Sequence, residues 1–196
     1  MSWFSVADTQ PIAEEITPIS KAHAFGSVVP GKVEFISGED LKAIKKAIGE
    51  LTDKSSLFFM TKGAWSNIRL LEYILEVTGP AEVYFTTWAI SEDAIRKFVS
   101  WKESGLITDL YAVMDAGLRN RKPAIYQQAI AAFPNLKISS CHAKVVVIRN
   151  DHFAFTLIGS ANMTKNPRRE VGLILSDQQL AEENIKWILE EVYDVA

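Results

Sequence analysis

The order of apolar patterns along the chain predicts an α/β fold, with a mixed, largely parallel β-sheet flanked by helices on both faces. Two observations carry that expectation. From Lys54 to Leu136, strand-like and helix-like segments alternate with short connections, the pattern of parallel strands joined by covering helices. From Leu136 to Leu175, strand follows strand, so this part is expected to add antiparallel pairs. With 196 residues and 48% hydrophobic content the chain can bury one core. It divides into an irregular N-terminal arm, 1–31, and one domain, 32–196.

The elements follow in order. Residues 1–31 show little periodicity and are punctuated by Pro11, Pro18, Pro30, Gly26 and Gly31. Lys32 to Ile36 alternates polar and apolar side chains, the mark of a short strand. Ser37 to Asp40 opens a helix whose Leu41, Ile44, Ala47, Ile48 and Leu51 share one face. Ser55 to Met60 is a buried strand. Ser66 can cap the next helix, which bears Ile68, Leu71, Ile74, Leu75 and Val77 and which Gly79-Pro80 ends. Glu82 to Thr87 is a strand. Ser91 and Asp93 start a helix with Ala94, Ile95, Phe98, Val99 and Trp101 on its apolar face, and Gly105 stops it. Ile107 to Met114 is a strand ending in Asp115-Ala-Gly117. Pro123 suits the first turn of a helix reaching about Ala132, which Phe133-Pro134-Asn135 breaks. Leu136 to Ile138, the run after Lys144, Phe153 to Ile158 and the run after Glu170 are strands. Asp177 caps a last amphipathic helix with Leu180, Ile185, Trp187, Ile188, Leu189 and Val192.

Composition excludes some functions. No apolar run reaches the length of a membrane span, and the N-terminus lacks a basic start followed by an apolar stretch, so neither membrane insertion nor a signal peptide is expected. One cysteine, Cys141, cannot form an internal disulfide, which favours a cytoplasmic setting. The net charge is -3. A nonspecific coat protein for nucleic acid is usually basic, so any contact with a polyanion must come from a local patch.

Polar residues gather at the ends of the late strands. Residues two apart on a strand point to the same side, so His142 and Lys144 are expected to project together, with Cys141 on the opposite side as buried packing. If the next strand brings Ser160 and Asn162 alongside, the lysine charge, the hydroxyl and the carboxamide are donors suited to phosphate oxygens. The imidazole is then a nucleophile or proton donor, and Glu170 is a carboxylate that can hold its other nitrogen.

The pattern His-x-Lys, a spacer, Gly-Ser-x-Asn and a downstream Glu resembles the HKD motif of the phospholipase D superfamily. His142, Lys144, Gly159, Ser160, Asn162 and Glu170 match it position by position. The resemblance implies a phospholipase D-like fold with one half-unit per chain, and phosphodiester cleavage with no metal and no cofactor. One histidine attacks phosphorus to form a phosphohistidine, and a second protonates the leaving group and later activates water. The lysines, with the Ser and Asn groups, neutralise the phosphoryl oxygens. That chemistry needs two motifs, and the chain carries one. The smallest members pair two identical chains, so a C2 homodimer is expected, with His142 of each copy facing the other. Small single-motif members are similar to nucleases, which makes nucleic acid the expected substrate. One position departs from the family: the aspartate five residues after the lysine is Arg149 here, and the nearest acid, Asp151, reads as a turn residue beside Asn150.

Lys165, Arg168 and Arg169 lie in the loop beside the motif and, with Lys144 and Arg149, form the expected positive patch for a polyanion. Trp88 follows a strand end, as the motif residues do, and is expected to line the substrate groove. His23 and His152 stand alone, with no metal-ligand spacing to Cys141. Two other readings fit the same residues: an idle phosphate- or DNA-binding module, and a phosphodiesterase for phospholipid headgroups.

Overall fold

The computed structural model describes residues 32–36, 41–62, 66–165 and 168–194, so the expectations for the arm 1–31, His23 and residues 37–40 lie outside it. Eight strands and six helices follow one another among these residues. They are β1 (Lys32–Ile36), α1 (Leu41–Ile48), β2 (Ser56–Lys62), α2 (Asn67–Thr78), β3 (Ala81–Thr87), α3 (Glu92–Glu103) and β4 (Ile107–Asp115). Then come α4 (Leu118–Arg121), α5 (Pro123–Ala132), β5 (Leu136–Ser139), β6 (Val145–Arg149), β7 (Ala154–Gly159), β8 (Arg169–Ser176) and α6 (Gln178–Tyr193).

The strands form one sheet in the order β1-β2-β8-β7-β6-β3-β4-β5. The expected mixed α/β sheet is present, but it is not largely parallel. The pairs β1–β2, β3–β4 and β4–β5 are parallel, whereas β2–β8, β8–β7, β7–β6 and β6–β3 are antiparallel. The reason is topological. The late run β6-β7-β8, joined by short connections, does not extend one edge of the sheet. It enters the middle and separates two parallel blocks.

Alternation along the strands divides the core between two faces. Val83 and Phe85 of β3, Val146 and Ile148 of β6, and Phe155 and Leu157 of β7 pack with α1, α2, α3 and α5. Tyr84, Val145, Val147 and Ala154 point the other way, against Ala181, Ile185 and Ile188 of α6. Helices therefore cover both faces. Ser91 and Asp177 cap α3 and α6 through their side chains, as expected, with bonds from Ala94 N and Leu180 N. Helix α1 ends at Ile48, short of the expected Leu51, because Gly49 turns the chain with φ 73°. Leu51 is still buried, from the loop that follows. Helix α4 was not expected, since four residues are too short to show a period. None of the described helices is long and apolar enough to cross a membrane.

Gly172 of β8 stands opposite Phe59 of β2 and Gly159 of β7. The Phe59 ring, 2% exposed, occupies the space over Gly172, where a Cβ would overlap it. Gly172→Ala should therefore cost about 1–3 kcal/mol of stability, read as a lower urea midpoint with an unchanged slope.

Candidate functional site

Strand direction gathers the polar residues at one edge of the sheet. Because β6 and β8 run against β2, β3 and β7, the N-terminal ends of β6 and β8 lie beside the C-terminal ends of those strands. His142 and Lys144 precede β6, Ser160 and Asn162 follow β7, Glu170 lies near the start of β8, and Trp88 and Asp115 stand at the ends of β3 and β4.

His142 and Lys144 are not on a strand, contrary to expectation. Residues 141–144 are irregular and β6 begins at Val145. Cys141 N bonds Ser139 O at 3.0 Å, a tight turn that delays the ladder until the Lys144 carbonyl accepts from Gly159 N at 3.2 Å. The pair still meets. Lys144 Nζ donates to the His142 carbonyl at 2.6 Å and lies 3.4 Å from His142 Nδ1. His142 is exposed and Lys144 half-buried. Burial pushes the Lys144 ammonium below the ordinary lysine range, and the charges of Cys141, Glu170 and Asp115 offset this only in part. Cys141 is buried against α6 as expected, and burial pushes its thiol up.

Ser160 differs in its engagement. Its hydroxyl donates to the Glu170 carboxylate, with Val171 O 3.4 Å away, and accepts from Val171 N at 3.0 Å. A hydroxyl has one hydrogen, so this bond orients Glu170 instead of pointing at a ligand. Glu170 is 8% exposed.

Asn162 is placed by its neighbours. The Asn67 side chain, at the start of α2, donates to Ala161 O at 2.5 Å, and Ser91 N, at the start of α3, donates to Met163 O at 3.0 Å. The Thr87 hydroxyl donates to Ala89 O at 2.8 Å, accepts from Met163 N at 3.3 Å and lies 3.4 Å from Asn162 Oδ1. Thr87 and Asn67 thus hold the Asn162 loop from two sides. Neither stands out in the sequence, because each acts through backbone that is distant along the chain.

Compared with protein-family models and with curated proteins, the chain finds no match.

Trp88 lies beside His142, with ring centroids 5.8 Å apart. Its indole is already covered by Arg121, whose Cζ is 3.8 Å from the ring centroid. Arg121 and Asp115 escaped the sequence reading. Their only signal is position: Asp115 is the last residue of β4, and Arg121 follows six residues on at the end of α4. Lys165 and Arg168 are exposed on the β7–β8 connection, and Arg169 is exposed as the first residue of β8, at this same edge. Among the described residues, no group of three His, Cys, Asp or Glu side chains is set to hold a metal ion.

Arg149 does not join the cluster. It ends β6, at the far end of the strand from Lys144, and stands opposite Glu82 of β3. Its Nε and Nη2 donate to Glu82 Oε2 at 3.0 and 2.5 Å. The cation that replaces the expected aspartate is thus absorbed by a cross-strand acid. Asp151 is exposed in the hairpin turn, which Asn150 organises by accepting from His152 N and Phe153 N. His152 is a turn residue there. Arg149→Met should cost less than about 1 kcal/mol, since the pair is one-third exposed, read as a nearly unchanged urea midpoint.

Proposed function

We propose that the chain is a metal-independent phosphodiesterase of phospholipase D type, acting on nucleic acid through a phosphohistidine, with its site completed by a second copy across a two-fold axis. The observation that carries this reading is the meeting of His142, Lys144, Asn162 and the Ser160–Glu170 pair at one sheet edge. In a net acidic protein, Lys144, Lys165, Arg168 and Arg169 collect at that edge and favour a polyanion there. Helix α1 is basic and amphipathic, with Lys45 and Lys46 in its last turn, but its Ile44 and Ile48 are buried in the core, so its apolar face is not offered to a lipid surface.

The chemistry follows from the groups present. An ammonium only donates, so a Lys144 ammonium 3.4 Å from Nδ1 favours the tautomer with its proton on Nε2. Attack from Nε2 needs the other tautomer. A phosphoryl group binding Lys144 draws the ammonium off Nδ1, the ring proton moves there, and Nε2 is free to attack phosphorus. The bond to the leaving oxygen breaks as His142 of the second copy gives that oxygen a proton. Water, losing its proton to the same second histidine, then attacks the phosphohistidine and releases the phosphate monoester. Lys144 and the Asn162 amide neutralise the phosphoryl oxygens throughout. Ser160 fixes Glu170 beside Lys144.

The deciding experiment incubates the protein with plasmid and single-stranded DNA in excess EDTA. Cleavage should occur, be lost in His142→Ala, and fall roughly a hundred- to a thousandfold in Lys144→Met. The active species should sediment at twice 21.9 kDa. A stable monomer sinks the shared site, and binding without cleavage favours an idle phosphate-binding module.

Lys144 must be charged to grip phosphate, and burial lowers its pKa. Activity should therefore fail on the alkaline side at a lower pH than a free lysine would set, which a pH–rate profile reads directly.

A further inference from the structure

His142 is exposed and sits on irregular backbone, so secondary structure does not fix its ring. What stands next to that ring is Trp88, tilted 57° to it, on the residue that follows β3. Trp88 is itself clamped. Arg121 stacks on the indole at 3.8 Å and donates through Nη2 to the Trp88 carbonyl at 2.9 Å, so one side chain grips both ring and backbone of the same residue. Arg121 is held in turn by Asp115, whose Oδ1 accepts from it at 2.8 Å and from Gly117 N at 3.1 Å. Arg121 passes close over Gly117: a Cβ there would overlap Nη1 and come 2.8 Å from Asp115 Oδ1. Helix α4, the single turn Leu118–Arg121, delivers Arg121 to this place.

We propose that Trp88, locked by Arg121 and Asp115, is a positioning residue that holds the His142 imidazole in line for attack on phosphorus. This rests on the phosphodiesterase reading above and replaces the expectation that Trp88 lines the substrate groove. With Arg121 over it, the indole offers no bare face on that side to a base. Arg121 is committed to Asp115 and to Trp88, so it acts through the ring and not on the phosphate. Lys144 lies beside His142 Nδ1 and itself feels the charges of Glu170 and Asp115, while Arg121 lies over Trp88.

The test uses Trp88→Leu, Trp88→Phe, Arg121→Met and the double variant Trp88→Leu/Arg121→Met, with bis(p-nitrophenyl) phosphate as the diester. Two readouts are compared: the His142 ring proton shifts by NMR in the free protein, and kcat against KM. In Trp88→Leu the indole ring-current shift on His142 should vanish, and kcat should fall roughly ten- to a hundredfold with KM within about twofold. Trp88→Phe should recover most of kcat. Arg121, at the surface, is replaceable without loss of the core, and Arg121→Met should move the same His142 signals and lower kcat. The double variant should be no worse than Trp88→Leu alone. A raised KM with kcat kept would make Trp88 a substrate platform and overturn the proposal. Multiplying losses in the double variant would do the same by showing Arg121 acting separately. A wild-type protein that cleaves no diester sinks the phosphodiesterase reading. The NMR comparison then still decides the positioning, and unmoved His142 signals in Trp88→Leu overturn it.

Discussion

Glu82 stands opposite Arg149 and Thr86 opposite Val145 in the antiparallel ladder between β3 and β6, and the placing of the whole cluster depends on that register. The Thr86 hydroxyl accepts from Val145 N at 3.1 Å and fixes the last rung, just before Lys144 leaves the sheet. Trp88 leaves β3 at the same level. A slip of one residue would turn every side chain of β6 to the other face, taking Val146 and Ile148 out of the core under α2 and α3. The Arg149–Glu82 pair opposes such a slip from the other end. The register is thus pinned at both ends of a five-residue strand, by a buried hydroxyl on one side and an ion pair on the other.

Much of this was legible in the chain. Capping residues Ser91 and Asp177, the glycines at 79 and 105, and the apolar faces of α2, α3 and α6 announce themselves locally, since caps and periods are short-range facts. The polar residues of the edge were also legible, because His142, Lys144, Ser160, Asn162 and Glu170 punctuate apolar runs. Strand order was not, although the antiparallel pairing of the late strands was. Whether β6 pairs with β3 or β5 is decided by packing across tens of residues, and alternating patterns are blind to it. The same limit hid the Glu82 partner of Arg149, the Thr87 support of Asn162 and the Arg121 clamp on Trp88. The irregular segment 141–144 was hidden for another reason: Cys141-His-Ala-Lys144 alternates as a strand would, and only the turn from Ser139 shows that the ladder has not begun.

Charge is arranged unevenly for a net acidic chain. Cations collect at one edge, while the acids found there are each occupied: Glu170 accepts from Ser160, and Asp115 binds Arg121 and Gly117 N. These acids temper the field locally without cancelling it. Lys144 feels both of them, and burial still dominates its behaviour.

The strand order has a consequence for how the molecule comes into being. The central strands β6, β7 and β8 come from the last third of the chain, and they join two parallel blocks made earlier, β1–β2 and β3–β4–β5. During synthesis the two blocks have nothing to bridge them until that segment emerges. Their union must then wait for contacts such as Ser56 with Leu175, which span most of the domain and close slowly. The cluster at the sheet edge is assembled from the same late strands. It is therefore the last region to take shape, and a truncated or stalled chain would lack the strands that bring His142, Ser160 and Glu170 together.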